Sequence, residues 1–120
     1  MSKIAGAIAV EYREQAEVYR ALNNPVRLAV LEILRGGEQC VCHMEAILRL
    51  RQAAISQHLM ILREAGLVED RRDGWNIFYH TTNRGVYRVM DAMRALSGQP
   101  KRRVTVLRAA SDCPCPKCKA

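Results

Sequence analysis

The stretch Gln52 to Val68, QAAISQHLMILREAGLV, constrains this chain more than any other. Ile55, Leu59 and Leu62 fall at i, i+4 and i+7, which lines one apolar stripe along a helical face. The opposite face carries Gln52, Ser56, Gln57 and Arg63, whose side chains can reach a base edge or a phosphate oxygen. Gly66 supplies a left-handed stop, and a β-prone run follows it. A short amphipathic helix with a polar outer face is the shape that enters a DNA major groove. The same residues also suit a merely solvated surface helix, so the neighbouring sequence has to decide.

Upstream, Ala5 to Asn23 reads as a first helix with Ile8, Tyr12, Ala16 and Tyr19 on one face. Asn24-Pro25 restarts the chain, because Asn caps well and Pro suits a first helical turn. The second helix turns Val26, Ala29, Val30 and Ile33 inward and ends at Gly36-Gly37. A third runs from near Cys42 to Leu50 and buries Met44, Ile47 and Leu48. Arg51-Gln52-Ala53 is then a tight connection, and two helices so joined form a helix-turn-helix. Downstream, Leu67-Val68-Glu69 and Trp75 to Thr81 read as strands around Arg71-Arg72-Asp73-Gly74. Asp-Gly between β-prone runs signals a two-residue hairpin, here a wing with a basic tip. A last helix spans about Gly85 to Leu96, with Val86, Val89, Met90, Met93 and Leu96 as its apolar face.

The expected fold is therefore mainly α with a small β-hairpin wing, a winged helix-turn-helix over residues 1–98. Residues 99–120, basic and Cys-rich, are expected to form a flexible tail. The first and last helices hold more apolar surface than so small a core absorbs. A second copy would cover it and set two recognition helices about one DNA turn apart, so a homodimer on a palindromic site is expected.

At 120 residues the chain holds one core. Its net charge of +7 is segregated: residues 1–48 carry five Lys/Arg against six Asp/Glu, and residues 49–120 carry fourteen against six. The excess begins at the key helix, as a polyanion-binding surface requires. No apolar run reaches membrane-spanning length and no signal-peptide pattern opens the chain, which points to the cytoplasm and away from a membrane. No catalytic Ser/His/Asp, paired-carboxylate or phosphate-loop arrangement is visible, so an enzyme is not expected.

The order of elements, with Asn24-Pro25-Val26-Arg27-Leu28, Cys40-Val41-Cys42 and Ser56-Gln57-His58-Leu59, resembles the ArsR/SmtB family of dimeric winged-helix repressors. The resemblance covers roughly Glu11 to Leu96, and ISQHLMILREAGLV followed by RRDGWNIFYH is its most specific part. It implies operator DNA contacts from Ser56, Gln57 and His58, with Arg71 and Arg72 on phosphate. It also implies release from DNA when an ion binds. EQCVCHM looks like the family's metal-binding box, usually written ELCVCDL.

Five cysteines occur: Cys40, Cys42, Cys113, Cys115 and Cys118. Their odd count and clustering suit metal binding or redox chemistry better than a disulfide framework. Cys40 and Cys42 do not share a face of a regular helix, so both meet one ion only where the helix starts or frays. Soft thiolates select soft ions. The family's arsenic branch implies arsenite or antimonite as inducer, held by three thiolates. The position one turn onward in the box is Glu45, so the third sulfur has to come from elsewhere, with Cys113, Cys115 and Cys118 as suppliers. The cadmium/lead branch draws on N-terminal cysteines, which this chain lacks. The zinc branch uses last-helix histidines, and that helix has only Asp91. His43 reads as a surface histidine. A thiol-redox or persulfide sensor on the same scaffold stays open, as does another thiophilic metal.

Overall fold

A computed structural model describes residues 3–99. Its elements run α1 (Lys3–Leu22), α2 (Pro25–Leu34), β1 (Gln39–Cys40), α3 (Val41–Leu48), α4 (Gln52–Glu64), β2 (Val68–Asp73), β3 (Asn76–Thr81) and α5 (Gly85–Leu96). The strands form one antiparallel sheet in the order β1-β3-β2. This is a winged helix-turn-helix, as the pattern predicts.

Local chemistry sets the helix ends. The Asn24 side chain accepts from the backbone N–H of Val26 at 2.8 Å and of Arg27 at 3.3 Å, with Pro25 at the first helical position. At the end of α4, Gly66 takes φ +77°. There the Gly66 N–H bonds the Arg63 carbonyl at 2.9 Å and the Leu67 N–H bonds Leu62 at 2.9 Å. That doubled closure is a Schellman motif, and the buried pair Leu62 and Leu67 supplies its apolar contact. The chain thereby turns straight from α4 into the wing.

The core gathers Val30, Leu31, Ile33 and Leu34 of α2, Met44 of α3, and Ile55, Leu59 and Leu62 of α4, with Val68 beneath. Tyr87 pins α5 onto this body. Its hydroxyl donates to the Leu31 carbonyl at 2.7 Å, which leaves Thr81 Oγ1 as the donor of the 2.6 Å bond between them. Arg35 grips Asp91 with two nitrogens, at 2.8 and 3.3 Å.

Three expectations about the elements need correction. The hairpin loop is Gly74-Trp75, not Asp73-Gly74, since Asp73 pairs with Asn76. Gly74 takes φ +61° while Trp75 keeps a negative φ, the pattern of a II′ turn with Gly first. Arg71 and Arg72 consequently lie within β2 rather than at the tip. The tight connection is Arg49 to Arg51, with Arg49 left-handed at φ +54°, because Gln52 and Ala53 already belong to α4. The third strand, β1, is too short at two residues to leave an alternating pattern.

The expected domain boundary at residue 98 falls just after α5. The tail with Cys113, Cys115 and Cys118 lies outside the described residues.

Candidate nucleic-acid interface and thiol pair

α4 presents two contrasting faces. Ile55, Leu59 and Leu62 are wholly buried, while Gln52, Ser56, Gln57 and Arg63 stand exposed. Of this exposed set, the Arg63 guanidinium is engaged within the chain. That guanidinium reaches Asp70 of β2 at 3.1 Å and ties the helix to the wing.

His58 sits differently. It is half-buried, and its Nδ1 lies 3.3 Å from Nη1 of Arg27. Arg27 is itself buried and donates from Nε to the Ala21 carbonyl at 2.5 Å and from Nη2 to the Arg20 carbonyl at 3.1 Å. A cation on the last carbonyls of α1 complements that helix's dipole. Burial, and then the Arg27 charge, hold the His58 imidazole below its ordinary pKa. His58 is thus a spacer between α2 and α4, at the edge of the Ser56–Gln57 surface. In the sequence, Arg27 looks like an ordinary helix-surface arginine, and no local pattern marks its role.

On the wing, Arg71 forks onto Glu38, with Nη2–Oε1 at 2.5 Å and Nε–Oε2 at 3.1 Å, and its guanidinium lies over the Phe78 ring at 4.9 Å. Arg71 therefore clasps β2 to the segment leading into β1. Arg72, beside it, is exposed. Trp75 stands fully exposed at the hairpin tip.

The two thiols flank the start of α3. Cys40 closes β1, pairs across the sheet with Phe78, and is buried at 1% exposure. As the N-cap of α3, its Sγ accepts from the His43 N–H at 3.2 Å, a position that suits a negatively charged sulfur. Cys42 follows in the first turn and is half-buried. The helix does begin between the two sulfurs, which relieves the regular-helix objection to their acting together. Both line a cavity of about 200 Å³ whose other walls include Glu45, Gln52 at the head of α4, and Trp75 and Asn76 of the wing.

His43 is buried, not a surface histidine, and burial pushes its imidazole below the usual range. Among the described residues, no group of three or more His, Cys, Asp or Glu side chains is arranged to hold a metal ion. Asp91 of α5 is engaged by Arg35.

α1 and α5 leave a broad apolar face open on the single chain. Ile8, Tyr12, Tyr19, Val89, Met93 and Leu96 are all exposed, around a groove of about 570 Å³ that Tyr19, Leu28, Val89 and Met93 help to line. Among the described residues, no helix is long and apolar enough to cross a membrane.

Residues 24–70, from the cap of α2 into the wing, match the family described as bacterial regulatory protein, arsR family. The biofilm growth-associated repressor of Agrobacterium fabrum is 38% identical over 88 residues, covering 73% of this chain and 75% of the repressor. Reduced HlyU from Vibrio cholerae superposes with a TM-score of 0.67 at 29% identity, covering 78% of this chain and 98% of HlyU. A Mycobacterium bovis protein, described as a homodimeric winged helix-turn-helix DNA-binding domain, gives 0.66 at 28% identity, covering 82% and 88%.

Proposed function

The chain belongs to the arsR family of bacterial regulatory proteins, and on that footing we propose that it is a homodimeric transcriptional repressor, released from operator DNA when a soft ion binds its thiols. It is a regulator and not an enzyme. α4 reads the major groove through Gln52, Ser56 and Gln57, and Arg63, Arg72 and the edge residue His58 hold the flanking backbone. The fork of Arg71 onto Glu38 gives that arginine a bracing role in the free chain, with a phosphate contact requiring the fork to open. The α1/α5 face pairs two copies of this chain, and the M. bovis domain it resembles is described as homodimeric.

One observation carries the sensing half of this reading. Cys40 and Cys42 border the same cavity as Gln52 of the recognition helix and the wing tip. Drawing both sulfurs onto one ion displaces the last residue of β1 and the first turn of α3 together. Those elements abut the two that would touch DNA. A coupling of about 1–3 kcal/mol is enough for regulation. Trivalent arsenic or antimony, bound by Cys40, Cys42 and one sulfur from Cys113, Cys115 or Cys118, is the inducer that fits the thiol count. The resemblance to a protein solved in a reduced form favours a second reading, in which the thiols respond to oxidation.

A fluorescence-anisotropy titration of labelled operator separates the two. For the reduced protein, arsenite lowers DNA affinity, and Cys40→Ser/Cys42→Ser binds DNA normally but ignores arsenite. Release by oxidant alone, with arsenite inert, would replace the first reading by the second. A double variant that still releases normally removes the pair as the sensor.

A further inference from the structure

Arg27 keeps a permanent charge at 9% exposure, which is costly unless its donors are used. Nε and Nη2 are tied to the Ala21 and Arg20 carbonyls of α1, so the guanidinium plane is fixed before it meets α4. Nη1 then lies 3.3 Å from Nδ1 of His58. A guanidinium has donors only and keeps its proton, so Nδ1 must be the acceptor. Burial and the Arg27 charge both disfavour the imidazolium. A neutral ring that accepts at Nδ1 carries its hydrogen on Nε2.

His58 therefore offers one donor. Among the described residues Nε2 has no partner, and it is not one of the buried polar atoms left unpaired, so it is open to solvent. Joining α2 to α4 uses the first nitrogen only, and the second is free for a partner from outside the chain.

Its place on α4 says which partner. His58 follows Gln57, about 100° round the helix from it toward the core stripe. Arg51, the N-cap seven residues earlier, is exposed and stands on the same edge, since seven residues make nearly two full turns. A helix lying in a groove turns its central face to the base edges and its flanks to the walls, which are lined by phosphate. An edge that carries an open N–H beside a cation suits phosphate oxygens.

We infer that Arg27 is a positioning residue for DNA binding: it fixes His58 as a neutral ring with its single N–H at Nε2, held ready for a phosphate oxygen beside the groove. This deepens the repressor reading and rests on it. Arg27 acts through His58 and makes no contact with DNA itself.

Nitrogen NMR of the full-length protein at about pH 8 reads the ring directly, with the His58 signals identified by their loss in His58→Phe. Nδ1 should resonate as an unprotonated nitrogen and Nε2 as a protonated one. In Arg27→Met the two signals should move toward each other as the tautomers mix. A wild-type ring with its hydrogen on Nδ1 would overturn the inference without any variant having to fold. DNA affinity is then measured on two duplexes of equal length, one selected from a random-sequence pool by the wild-type protein and one unrelated. His58→Phe should weaken binding to both about tenfold, as for a hydrogen bond to a charged group. The salt slope should stay unchanged, because a neutral donor releases no counterion. Arg27→Met should lose a smaller factor, and combining it with His58→Phe should lose no more than His58→Phe alone. Losses that multiply in the double variant, a slope lowered by about 0.9, or a loss confined to the selected duplex would each overturn the inference. So would wild-type affinity in His58→Phe, which leaves Gln52, Ser56 and Gln57 standing as the reading face. If the wild-type protein binds neither duplex, the repressor reading falls and this inference with it.

Discussion

The stripes of α4 and α5 are written with the same residue types at the same helical spacing, yet they meet opposite fates. Ile55, Leu59 and Leu62 are 0% exposed, whereas Val89, Met93 and Leu96 stand at 39, 52 and 81%. α4 is enclosed by α2, α3 and β2, so its stripe finds partners within the chain. The buried side chains of α5 are Val86, Tyr87 and Met90, and its remaining apolar residues Val89, Met93 and Leu96 face outward. Single exposed apolar side chains are ordinary; a contiguous face of them marks an interaction site. The comparison teaches that periodicity identifies a face to be covered, while the number of neighbouring elements decides whether the same chain covers it.

Three measurements would break or sharpen that contrast. Leu59→Ala should have the largest effect, removing about 2–5 kcal/mol in urea unfolding, since a filled site cannot fully collapse around the void. A loss below about 1 kcal/mol would mean that α4 is not a core element. Next, Met93→Glu with Leu96→Glu should cost self-association about 2 kcal/mol, in the manner of interface anchors. Sedimentation would then find more monomer, with the helical circular dichroism retained and operator binding weakened. An unchanged mass would assign the α5 face to something other than a second copy.

The smallest effect concerns His58, at the seam between the core and the polar face of α4. Its folded-state pKa lies below the ordinary value of 6.5, so protonation favours the unfolded chain. The stability it contributes is complete above pH 6.5 and drains away as pH falls through the depressed folded value. The melting temperature should therefore drop between pH 7 and pH 5, and His58→Gln should flatten the drop. An identical slope in the variant would mean that the ring is not constrained by Arg27 and its surroundings.

Much of the architecture was legible because it is local. The Asn24-Pro25 start, the Gly66 stop and the three-four spacing of Ile55, Leu59 and Leu62 each depend on atoms within a turn or two of chain. Gln52, Ser56 and Gln57 were legible as an exposed polar face for the same reason. The hairpin is legible but the exact place of its loop is not, because Asp-Gly and Gly-Trp are both admissible two-residue loops. Strand pairing chose between them: Asp73 is used in the ladder opposite Asn76. The burial of His43 is not legible in the sequence, because it depends on what packs over the start of α3.

The chain's own pattern was enough to dictate helices, stops, a wing and a basic half, since each follows from side chains a few residues apart. It could not dictate the arginine forks. Arg27 meets His58 across 31 positions, Arg71 meets Glu38 across 33, and Tyr87 meets the Leu31 carbonyl across 56. Nor could it show that a two-residue strand ending in Cys40 joins the wing sheet. Those meetings depend on how packed elements are oriented in space, and a one-dimensional pattern of apolar and polar residues carries no record of that orientation.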